Sequence, residues 1–225
     1  MTKIIKDFDD APPLTWWEEQ DKRTEKRRRI NYNLSVCNIP IRFKEHSFET
    51  FNAKTEDQKH VKDKCFNYAE NFDKFYEKGT SMILCGPPGT GKTLLSVSII
   101  KYVIENKESS AKFINTVDLI CKIKASWNKN SEETEEQAID EFVSPDLLVL
   151  DEAGVQFGSN TEQLLLDRII NKRYENLEPT IIITNLNFKN LKKIIGERVV
   201  DRLRENNGEI LVFKGNSYRS TKNET

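Results

Sequence analysis

The chain has 225 residues, 32 % of them charged and 37 % hydrophobic, which suits a highly charged globular protein and excludes a disordered one. The 35 Lys and Arg nearly cancel the 36 Asp and Glu, leaving a net charge of -1, so any contact with nucleic acid must come from a local patch. No apolar run is long enough to span a bilayer and the first residues lack a signal-peptide core, which points to a cytoplasmic protein with no membrane partner.

That length accommodates one α/β domain with a small appendage. Cys37, Cys65, Cys85 and Cys121 lie far apart with no CxxC and read as reduced thiols, neither a zinc site nor a disulfide frame. Residues 14–37 read as a charge-dense helical arm with Trp16, Trp17, Ile30, Tyr32 and Leu34 as scattered apolar contacts. The stretch around Pro40, up to Phe51, reads as an extended connector. Thr55 and Gln58 have the spacing of a capping box. Val61, Cys65, Tyr68, Ala69, Phe72, Phe75 and Tyr76 then recur at helical spacing until Gly79 stops the run.

From there the pattern alternates between short apolar strands and helices, as in a parallel sheet. Strands are expected at 81–85, 112–115, 147–151, 180–184 and 210–213. Helices are expected at 92–104, 117–127, 132–143, 162–174, 188–195 and 197–204, with 128–136 as a polar loop running into a helix. Five strands with helices on both sides make a doubly wound α/β sandwich.

Gly86, Pro87, Pro88, Gly89, Thr90, Gly91, Lys92 and Thr93 fit GxxxxGK[ST]. A chance match in a chain of this length is on the order of one in a hundred, and the flanking strand and helix make it more specific still. Glycines let backbone N–H groups face phosphate oxygens and the helix N-terminus adds its positive end. Lys92 is expected to reach the β- and γ-phosphates of ATP, and the Thr93 hydroxyl to ligate Mg²⁺. The strand 147–151 ends in Asp151 and Glu152. Asp151 can hold magnesium, and Glu152 can polarise the attacking water. Asn185 follows another apolar strand; it is either a buried amide that senses the γ-phosphate or a turn asparagine. Arg198 and Arg202 share one helix face. They either complete the site of a neighbouring subunit or form a solvated basic surface.

Taken together, these residues resemble the DnaC-type replicative helicase loaders, a branch of the AAA+ ATPases. The resemblance extends along nearly the whole chain. It includes Ile39 to Phe43 with Ser47-Phe48-Glu49, Asp151 to Gln156, Thr184 to Asn187, Gly196 to Arg204 and Gly215 to Arg219. It implies a Walker A pair in Lys92 and Thr93, a Walker B pair in Asp151 and Glu152, and sensor 1 in Asn185. It implies a trans-acting arginine finger in Arg202, with Arg198 as second choice, and sensor 2 in Arg219. Only a dozen residues follow strand 210–213, too few for the helical lid of most AAA+ proteins, and this suits the lidless DnaC and IstB branch.

The resemblance divides the chain into a helicase-docking arm and connector, 1–45, and an AAA+ ATPase domain, 46–225. Trp16 and Trp17 would anchor the arm on a DnaB-type helicase, or else pack on the chain's own domain. Arg27, Arg28 and Arg29 form a phosphate patch or, with the interspersed acids, a solvated helix face. Lys122, Lys124, Trp127 and Lys129 would face single-stranded DNA in an ATP-dependent oligomer, or else form an amphipathic helix end with Trp127 in the core. The expected function is ATP-driven helicase loading. The rivals are an IstB-like regulator of a transposase and a nucleotide-switched adaptor with negligible turnover.

Overall fold

In a computed structural model of the chain, residues 14–154, 160–215 and 217 are described. β1 (Met82–Cys85), β2 (Ala111–Asn115), β3 (Leu147–Asp151), β4 (Thr180–Thr184) and β5 (Glu209–Val212) form one sheet in the order β2-β3-β4-β1-β5. Every neighbouring pair is parallel. Parallel neighbours require crossover connections, so helices cover both faces and the strands are buried on both sides. β1 and β4 are buried at every position, which is why they read as unbroken apolar runs rather than alternating ones.

Successive side chains of a strand point to opposite faces, and two cores result. Met82 and Leu84 enter one, with α2 (Glu56–Glu70), α3 (Phe72–Tyr76) and α4 (Lys92–Lys107); Ile83 enters the other. The second core is closed by α5 (Thr116–Ala125), α6 (Glu135–Val143), α7 (Asn160–Glu175), α8 (Phe188–Ile195) and α9 (Glu197–Arg204). This is the AAA+ P-loop arrangement expected.

Local chemistry sets several boundaries. Thr55 and Gln58 close a reciprocal capping box that starts α2, as their spacing indicates. A second box, Thr134 with Gln137, starts α6 at Glu135, later than the 132 expected from charge alone. The run of apolar residues from Val61 to Tyr76 is two helices rather than one, because the chain breaks at Asn71. The connector is turned rather than extended. Ile41–Phe43 form a short 3-10 helix after Pro40, and Phe48 and Phe51 fold back into the first core.

The arm helix, α1 (Leu14–Val36), is built into the domain at its C-terminal end. Ile30 and Leu34 pack on the first core, Cys37 is fully buried, and Lys26 and Arg29 pair with Glu108. The Phe113 N–H donates to the Cys37 carbonyl at 2.8 Å, so the chain after α1 covers the open edge of β2.

Arg173 of α7 is completely buried. Its guanidinium donates to the carbonyls of Phe142, Val143, Pro145 and Pro179 and to the Thr180 hydroxyl. It thereby satisfies the last carbonyls of α6, which have no partner within their own helix.

Candidate nucleotide site

β1, β3 and β4 end at the same edge of the sheet, since Cys85 pairs with Thr184 and Leu150 with Ile182. The loop after β1 wraps this edge and enters α4. Gly91 caps α4 with φ 96°, a left-handed conformation open to glycine and costly for other residues. A Cβ there would sit 2.4 Å from the Phe51 ring, so the connector also closes over the loop. A Cβ on Gly89 would lie 2.0 Å from Ser217 Oγ, which brings the C-terminal segment against the same loop.

Lys92 is 4 % exposed. Its ammonium donates to the carbonyls of Gly86 and Pro87, both at 2.7 Å, and so lies bent back along the loop that precedes it. Thr93 Oγ1 donates to Asp151 Oδ2 at 3.0 Å. Burial pushes the Asp151 carboxyl above its ordinary range, opposed by hydrogen bonds from the Glu152 N–H and the Thr93 hydroxyl. A half-desolvated carboxylate touching a hydroxyl is a hard oxygen pair. Such oxygens are the donors Mg²⁺ takes one or two of from a protein while phosphate and water complete its shell. The residues therefore fit a magnesium nucleotide.

Glu152 has φ 57°, unusual for a residue with a side chain, and its carboxylate is turned toward β2. There Asn115 Nδ2 donates to Glu152 Oε2 at 2.6 Å. The same amide accepts the Val117 N–H through Oδ1 at 2.9 Å and caps α5. Asn115 is a site residue that no sequence motif marks. The one signal available was an asparagine at the junction of an apolar strand and a helix.

β4 is fastened to the residues after β3. The Ala153 N–H donates to the Ile183 carbonyl at 2.9 Å, and Thr184 Oγ1 donates to the Ala153 carbonyl at 2.7 Å. Asn185 follows at the tip of β4 and is exposed, which of the two readings fits the turn asparagine and not the buried amide. Arg198 and Arg202 both reach Asp167 of α7. Arg219 and Gln156 lie outside the described residues; Trp16 and Trp17 fall in the first turn of α1.

The basic segment between the two Walker motifs is largely compensated. Lys122 pairs with Glu141, Lys124 with Glu162 at 2.7 Å, and the Trp127 indole N–H donates to Glu135. Trp127 is nevertheless 46 % exposed. Among the described residues no helix is long and apolar enough to cross a membrane.

A model of the IstB-like ATP-binding protein family matches residues 14–225. The replicative helicase loader DnaC of Buchnera aphidicola (subsp. Baizongia pistaciae) is 33 % identical over 217 residues, 93 % of this chain and 87 % of that protein. DnaC of Escherichia coli K12 is 31 % identical over 214 residues, 92 % of this chain and 85 % of that protein. The crystal structure of a DnaC helicase loader superimposes with a TM-score of 0.70 at 29 % identity, covering 78 % of this chain and all of that one.

Proposed function

The chain belongs to the IstB-like ATP-binding family, and from its likeness to the DnaC loaders we propose that it hydrolyses ATP while loading a hexameric replicative helicase onto single-stranded DNA. The observation that carries the chemistry is the contact of Thr93 with Asp151 beside Glu152, at the foot of a loop that already holds a buried lysine. What carries the loader reading is that the likeness to DnaC runs through the arm as well as the ATPase domain.

In this reading the N–H groups of Gly89, Thr90, Gly91, Lys92 and Thr93 and the Lys92 ammonium bind the phosphates, and Thr93 and Asp151 would hold Mg²⁺. The metal, when bound, neutralises charge on the phosphate oxygens. Glu152 takes a proton from the attacking water, and Asn185 orients that water. The products are ADP and phosphate. Arg202, or Arg198 in its place, reaches the nucleotide of an adjacent subunit in an ATP-dependent oligomer, and Arg219 serves the chain's own nucleotide. The contact of Gly89 with Ser217, two residues before Arg219, supports that last role.

The arm and connector, 1–45, dock on the helicase, with Trp16 and Trp17 as anchors. Single-stranded DNA meets the exposed Trp127 by stacking, with Lys129 as a backbone contact. The lysines already paired with Glu141 and Glu162 contribute less.

The test is to mix the chain with the replicative helicase of its own organism and ATP and to look for a co-migrating complex. Because Ile30, Leu34 and Cys37 belong to the first core, the arm is probed by substitution rather than deletion. Trp16→Ala with Trp17→Ala should abolish the complex while nucleotide binding persists. Absence of a complex with the unaltered chain overturns the loader reading. Assembly on duplex DNA with no helicase interaction would favour the IstB-like alternative. Glu152→Gln should retain ATP and lower turnover about 100-fold or more. Equal turnover by the two proteins would favour a nucleotide switch.

A further inference from the structure

Asp167 receives two guanidinium groups from α9, one on each carboxylate oxygen. Arg198 Nη2 lies 2.7 Å from Oδ2, and Arg202 Nη1 lies 3.0 Å from Oδ1. Two turns further along α7, the Tyr174 ring stands 5.8 Å from Arg202 Cζ. The Tyr174 hydroxyl is itself fixed by donating to Glu205 Oε2 at 2.7 Å. Arg202 is thus held between a carboxylate and an aromatic face, with 17 % of its side chain exposed, whereas 72 % of the Arg198 side chain is exposed.

The spacing explains the arrangement. Asp167 and Tyr174 lie seven residues apart and share one face of α7, while Arg198 and Arg202 lie four apart on α9. Leu164, one turn before Asp167, is 67 % exposed. Tyr174 and the two arginines on this face are of the residue types that carry much of the binding where another protein covers a surface.

We propose that Asp167 is a positioning residue that holds Arg202 pre-ordered for the nucleotide bound to a second copy of this chain. The proposal rests on the reading above that Arg202 acts in trans. A long arginine side chain samples many rotamers, and freezing it at the moment of reaction costs entropy and rate. The Asp167 carboxylate fixes it beforehand. One carboxylate facing two guanidinium groups also leaves the pair with a net positive charge, which suits the triphosphate on the neighbouring copy. The Arg202–Asp167 pair is only partly exposed, 17 % and 22 %, so its loss can also cost stability, and the melting curve is read beside the rate.

The experiment mixes two inactive proteins. Arg202→Ala keeps the residues that bind nucleotide and take the water proton but has no finger; Glu152→Gln has the finger but no base. Their mixture should recover ATPase activity at sites where a Glu152→Gln copy faces an Arg202→Ala copy. When the Glu152→Gln partner also carries Asp167→Asn, kcat of the mixture should fall about tenfold with KM for ATP unchanged, and Asp167→Glu in that place should restore part of it. The doubly substituted partner is first checked for its melting curve and ATP affinity, with Asp167→Ser used if the amide does not fold. Equal recovery with and without the Asp167 substitution overturns the assignment to Asp167 alone. No recovery from Glu152→Gln itself overturns the trans reading beneath it.

Discussion

Asn115 Nδ2 donates to Glu152 Oε2 at 2.6 Å, so the residue that should activate water is restrained by the amide of the neighbouring strand. The hydrogen bond ties the carboxylate to β2, and it must break before the side chain can turn elsewhere. Asn115→Asp separates the two duties of this side chain. The aspartate still accepts the Val117 N–H and caps α5, but it cannot donate to Glu152 and repels it. Basal ATP hydrolysis should rise about fivefold, the equivalent of a ~1 kcal/mol hydrogen bond, with the melting temperature nearly unchanged. A steady-state phosphate-release assay and a thermal melt decide it. An unchanged or lower rate would show that the contact does not restrain the base.

Residues 86–93 and the Asp151-Glu152 pair could be read from the chain because their chemistry is local: a glycine turn between strand and helix, and acids at a strand tip. The strands were legible because burial on both faces leaves no room for polar residues. Asn115 was not, since its role depends on β2 lying beside β3, with Asn115 in register with Asp151. The strand order that creates this neighbour is a tertiary property. Arg173 was hidden for a similar reason. A charged residue in a helix reads as surface, and only the packing of α7 against the end of α6 supplies the carbonyls that let it be buried. Asp167 gains its meaning only where α7 packs on α9.

Thr93 and Asp151 touch at 3.0 Å, close enough for both to contact one magnesium ion. Asp151→Asn keeps the shape and can still hydrogen-bond to Thr93, but it removes the charge. Affinity for ATP measured with Mg²⁺ should drop about tenfold, while affinity measured in EDTA should hardly change. Calorimetric titration under both conditions checks this. Equal losses in the two would mean that Asp151 supports the loop fold and not the metal.

Arg173 is protonated at neutral pH even though burial lowers its pKa to about 10. Replacing it with Met keeps the apolar bulk and leaves four carbonyls and the Thr180 hydroxyl without their donor. The cost should be about 3–5 kcal/mol, read as a lower urea midpoint with an unchanged slope. A loss under about 1 kcal/mol would mean that water replaces the guanidinium easily.

Glu178 carries the pH dependence next to that network. Burial raises its pKa from 4.5 to about 6; the positive charge of Arg173 opposes the shift and Asp146 adds to it. Its Oε1 accepts from the Tyr76 hydroxyl at 3.4 Å, while its buried Oε2 has no hydrogen-bond partner among the described residues. Because the folded pKa is the higher one, the folded state binds this proton more tightly than the unfolded chain. The stabilisation is fully present below pH 4.5 and is lost as pH rises through about 6. Partial exposure reduces the effect to about 1 kcal/mol. Glu178→Gln retains a neutral, hydrogen-bonding side chain at every pH, so it should match the unaltered protein near pH 4.5 and exceed it by that amount above pH 6. Urea midpoints of both proteins across this window isolate the group from all others that titrate there. A constant difference between the two curves would remove Glu178 as the source.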